Sequence, residues 1–158
     1  MPRAMLMDPN EAIDAIGEGL VNYVPKRDFD ARLYPYPGWG QHTYGVEKPT
    51  ILSRWDGPAE DRPTERTDIE IPSALRYDVR IIHPSRDGPA GVMDTFANAQ
   101  IQVKKGFSKF FVAMSKNRHM NDLILDVGIE ASIVGDLIDP TTQEPFYGLE
   151  MVMIVKVW

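Results

Sequence analysis

A stripe of apolar residues at helical spacing runs through residues 91–118, between segments that alternate like strands. Met93, Phe96, Val103, Phe107, Phe110 and Met114 recur three or four positions apart or at multiples of that spacing, with Phe111 beside them. At about 1.5 Å per residue this predicts a rod of roughly 39 Å, long enough to cross a whole sheet. Ahead of it, 74–83 (ALRYDVRIIH) alternates like a strand. Behind it, 120–125 (MNDLIL) reads as one or two short helical turns, and 127–138 and 147–158 (YGLEMVMIVKVW) read as strands. This order predicts an α+β fold with a mainly antiparallel sheet. The long amphipathic helix and an N-terminal helix are expected on one face of it.

The strand patterns say which faces are covered. Leu75, Tyr77, Val79 and Ile81 point one way, and Arg76, Asp78, Arg80 and Ile82 the other, which predicts one buried and one largely wet face. His83-Pro84 ends this strand, because proline cannot continue a ladder. In the last strand Leu149, Met151, Met153, Val155 and Val157 share a face. Val152 and Ile154 lie opposite, so at least partial cover on both sides is expected. Residues 127–138 alternate imperfectly, and the connection Asp139–Pro145 is longer than a tight hairpin.

Asp8-Pro9-Asn10-Glu11 opens a helix over 9–24, with Asp8 as N-cap, Pro9 in the first helical position and Glu11 where a capping-box carboxylate belongs. Ile13, Ile16, Leu20 and Val24 share a face, and Pro25 ends the pattern. Gly17 and Gly19 either weaken this helix or admit a close backbone neighbour, and Gly106 presents the same choice in the long helix.

Residues 33–73 form an extended segment rich in aromatics and proline, with a short strand expected at 50–55 (TILSRW). A segment this long in a compact domain is usually functional or disordered. Tyr34, Tyr36, Trp39, Tyr44 and Trp55 argue against simple disorder. The segment either folds back on its own domain or docks on a neighbour, and on the second reading these five residues are the candidate subunit or partner interface.

The chain has 158 residues, the size of one domain with one core, so 1–158 is read as a single domain. It has no cysteine, which removes disulfides and thiolate metal sites. The N-terminus lacks the long apolar core of a signal peptide, and the apolar runs fall short of a membrane span. A net charge of −6 argues against a groove-binding nucleic-acid protein, although Lys104, Lys105, Lys109, Lys116 and Arg118 gather along the long helix. A solvated helix face accounts for that cluster.

No constellation points to catalysis. His42, His83 and His119 are scattered and read as surface or turn histidines. There is no GxSxG, no EF-hand loop and no phosphate cradle, since Gly38-Trp39-Gly40 is too short and too far from a strand–helix junction. The expectation is a non-enzymatic protein without metal or cofactor, acting by assembly.

This order of elements resembles the tail terminator proteins of long, non-contractile-tailed, lambda-like bacteriophages. The resemblance rests on the N-terminal helix at 9–24, a variable loop at 25–73, the strand and Pro-bearing turn RYDVRIIHPSRD at 76–87, the helix at 91–118 and the closing hairpin at 127–158. The segment 33–73 is longer than in the smallest members. The resemblance implies a virion protein at the head-proximal end of the tail, assembled in the host cytoplasm. It implies a ring, a hexamer, that caps the tail tube, ends its polymerisation and meets the head-completion or connector protein. DNA would pass through the middle without specific binding, and no membrane is involved. An acidic lumen would let DNA slide, and Glu130, Asp136, Asp139 and Glu144 around the closing hairpin are the candidate lumen-facing acids. Two other readings stand beside it. One is another head–tail connector, neck or tube-type subunit of the particle. The other is a small α+β enzyme or ligand-binding domain with a pocket under loop 33–73.

Overall fold

A computed structural model describes residues 1–34, 49–58, 73–83, 92–138 and 145–158. After a short 3-10 turn at Arg3–Leu6 the elements are α1 (Pro9–Val21), β1 (Asp30–Tyr34), β2 (Thr50–Pro58), β3 (Ala74–Ile82), α2 (Val92–Lys116), β4 (Asp126–Ile138) and β5 (Pro145–Lys156). The fold is α+β. Its five strands lie in the order β1-β2-β3-β5-β4.

The sheet is mixed. β2, β3, β5 and β4 pair antiparallel, as expected, but β1 runs parallel to β2 with Asp30 opposite Thr50. The β1 strand lies in a stretch expected to be loop. Its sequence, DARLY, is too short and too polar to alternate visibly, and its place comes from pairing with β2.

Both helices cover the same face. Ile16 and Leu20 of α1, Val103, Phe110 and Met114 of α2, and Leu75, Tyr77, Val79, Ile81, Met151, Met153 and Val155 of the sheet make one core. The α1 helix starts as expected: the Asp8 carboxylate accepts from the backbone N–H of Asn10 and Glu11. It ends at Val21 instead of 24, with Asn22 as C-cap, although Val24 is still buried. Two buried tyrosines tie the layers. The Tyr77 hydroxyl donates to the Ile13 carbonyl at 2.6 Å, and that of Tyr23 to the Asn117 carbonyl at 2.7 Å. Burial pushes the Tyr23 phenol up to about 12.

Gly19 and Gly106 are close-approach positions. A Cβ at Gly19 would sit 2.6 Å from the Met120 sulfur, and one at Gly106 would sit 3.0 Å from Cζ of Phe29 and 3.2 Å from Cγ2 of Ile81. Phe107 is only partly buried, and the fully buried phenylalanine of α2 is Phe110.

Residues 120–125 are not right-handed helix. Met120, Asn121 and Asp122 have φ of 49°, 54° and 66°, three consecutive left-handed residues. Asn and Asp adopt this region more readily than other side-chain-bearing residues. Local bonds hold the turn: the Asn117 side-chain oxygen accepts from the Asn121 N–H. The N-terminal 3-10 turn clamps it from outside, with the Arg3 and Ala4 N–H groups donating to the carbonyls of Asp122 and Leu123.

Candidate assembly surface

The sheet face away from the helices is not simply wet. Strand register places Arg54 opposite Asp78 and Arg80 opposite Glu150. Both pairs close at 2.5 Å, and the Arg54 and Asp78 side chains are largely buried. Arg76 reaches Glu130 at 3.7 Å. Beside this ladder Leu52, Ile82 and Phe146 form a small second core with Leu137 against it. The alternation in β3 is therefore as expected, but the charged positions are matched in pairs across strands.

The β4 strand differs from the rest of the sheet. It is one of the two edge strands, thirteen residues long, with a bulge between Ile129 and Ala131. Before the bulge Val127 is buried in the core. Beyond it both faces open to solvent: Ile133 is 68% exposed, Val134 55% and Ile138 49%. The reason is the position of α2, which packs chiefly over β5 and β3. Ser132, Val134 and Asp136, on the helix side of β4, are consequently exposed.

The flank of α2 that faces β4 follows from its other flank. Lys105, Lys109 and Gln102 line a groove of about 430 Å³ with Arg27, Asp28, Phe29 and Pro49, on the side of α1 and β1. Lys104, Phe107 and Phe111 lie round the helix from them, toward β4. The Phe107 and Phe111 rings touch, with centroids 6.1 Å apart, and Phe111 is 48% exposed. An apolar step from α2 down to the bare half of β4 results. The signal for it in the sequence was the adjacent apolar pair Ile133-Val134, which breaks strand alternation.

Of the expected interface aromatics, Tyr34 and Trp55 fall among the described residues. Trp55 lies on β2 opposite Tyr77, half-buried against the main core. Tyr34 closes β1. Tyr36, Trp39 and Tyr44 lie outside the described residues, as do most of loop 33–73 and any pocket beneath it. Of the candidate lumen acids, Glu130 is exposed at the bulge and paired with Arg76, and Asp136 is exposed on β4. Asp139 and Glu144 lie outside the described residues.

Among the described residues no group of three His, Asp or Glu side chains could hold a metal ion, and no helix is long and apolar enough to cross a membrane. His119 Nδ1 lies 2.7 Å from the Leu125 carbonyl oxygen. His83, expected at the surface or in a turn, is buried at the end of β3, and that burial lowers its pKa below the usual 6.5. Its backbone N–H extends the ladder to the Tyr147 carbonyl. No protein-family model matches this chain, and no curated protein matches it.

Proposed function

We propose that this chain is a ring-forming structural protein of a phage virion, similar to tail terminators, that caps the tail tube and joins it to the head-completion proteins. The observation that carries this reading is the outer half of β4, a long edge strand with Ile133, Val134 and Ile138 exposed. An edge of this kind is a hazard in a monomer and an asset in an assembly. A head-to-tail ring uses two different patches per subunit and leaves no edge open.

The reading is supported by the resemblance of this element order to that of the tail terminators, here with two helices on one face and a closing β4–β5 hairpin. The face away from the helices is charge-matched through Arg54–Asp78, Arg80–Glu150 and Arg76–Glu130. A surface of paired charges offers a phosphate backbone little net attraction, which suits a wall that DNA slides past.

The test is the mass of the purified protein in solution, then imaging after mixing with purified tail tubes. A six-fold species that seats on tube ends is the expected result. A protein that stays monomeric and ignores tubes would return the question to a ligand-binding domain.

A further inference from the structure

We propose that the open half of β4 is completed by a second copy of this chain docked head to tail, whose α1–β1 side meets the β4 edge antiparallel. This rests on the ring-forming reading above and names its subunit contact.

Three observations carry it. The first is the edge itself: residues 126–137 pair with β5 alone among the described residues, and Ile133 and Val134 project from opposite faces of the same exposed stretch. Both faces lose apolar area to water only if a neighbour continues the sheet and also covers the step beside α2.

The second is charge. The solvent face of α1 carries Glu11, Asp14 and Glu18 at helical spacing, and Pro9–Val21 contains no Lys or Arg. The β4-facing flank of α2 carries Lys104 above Phe107 and Phe111, while Lys105 and Lys116 lie on the opposite flank. α1 lies over the β1–β2 end of the sheet, so a neighbour placed head to tail brings an acidic helix face beside a basic and aromatic one. Two copies joined β4 to β4 around a two-fold axis would instead bring the Lys104 flanks together and leave the acidic faces unmatched.

The third is direction. β1, β2 and β5 run one way, and β3 and β4 the other, because β1 is parallel to β2 while all other pairings are antiparallel. The two outer strands therefore oppose each other. Subunits repeated around a ring present them antiparallel, the pairing that has the more favourable ladder geometry.

The experiment uses two variants of the full chain. One blocks the β4 edge (Ile133→Lys with Val134→Lys), and the other reverses the α1 face (Glu11→Lys, Asp14→Lys and Glu18→Lys). Masses are read by native mass spectrometry and light scattering across a concentration series. The wild type is expected to oligomerise, and each variant alone to be monomeric. Mixed one to one, the variants should give a two-subunit species and nothing larger, because each retains one good end. If the lysine pair disturbs folding by circular dichroism, Ile133→Thr with Val134→Thr keeps strand propensity and should raise the dissociation constant at least tenfold. Self-association of the α1 variant through β4, wild-type assembly by either variant, or a wild type that stays monomeric would each overturn the proposal. Rings on tube ends that survive both sets of substitutions would remove this contact and leave the terminator reading standing. Head-to-tail oligomers that ignore tubes would do the reverse.

Discussion

The guanidinium of Arg54 meets the carboxylate of Asp78 at 2.5 Å across the β2–β3 ladder, with both side chains largely shielded from water on the sheet face away from the helices. Removing one partner leaves a shielded charge uncompensated. Asp78→Ala should lower unfolding free energy by about 3 kcal/mol, the range for breaking a shielded pair. Replacing both, with Arg54→Met and Asp78→Leu, should cost much less. Urea denaturation of the two variants checks this, and equal losses would count against the pairing.

Phe110 has no exposed surface and packs edge-on against Tyr23 at a centroid distance of 5.3 Å, whereas Phe107 is only partly buried. Phe110→Ala should cost about 3–5 kcal/mol. Phe107→Ala should cost distinctly less in the monomer and show its larger effect in assembly. Thermal melts at low protein concentration separate the two.

Asp122 has φ of 66°, and its backbone carbonyl, not its side chain, receives the Arg3 N–H. Asp122→Gly removes the penalty of the left-handed conformation, so the variant should be unchanged or more stable by up to about 1 kcal/mol. Asp122→Val, β-branched in the same conformation, should be destabilised. Denaturation midpoints for the pair decide it.

Burial holds the folded pKa of His83 below 6.5, so the folded protein favours the neutral imidazole. Between the folded value and 6.5 the unfolded chain binds more protons. The contribution is complete above 6.5 and is lost as pH falls through 6.5 to the folded value. Stability should therefore decline on acidification in that window, and His83→Phe should flatten the decline. The Arg118 hydrogen bond instead holds Asp126 below 3.8, so its exposed pair contributes above that value and fades at lower pH. Chemical denaturation at a series of pH values, with and without the His83 substitution, reads both.

The sequence by itself determined the order of β3, α2, β4 and β5, the cap at Asp8, the buried alternation of Leu75, Tyr77, Val79 and Ile81, and the existence of the long helix, expected over 91–118 and found at Val92–Lys116. Each of these is periodic or local, and local patterns are written in neighbouring residues. Tertiary structure decided what depends on distant partners. β1 exists because residues 50–54 run beside it, and the left-handed turn at 120–122 because the N-terminal backbone clamps it. Register, not composition, turns the charges of β3 into pairs with Arg54, Glu150 and Glu130. The exposed assembly edge is the clearest case. The apolar residues Ile133 and Val134 look like core in the chain, and only the placement of α2 over β5 leaves them uncovered, since a helix of one radius cannot roof all five strands.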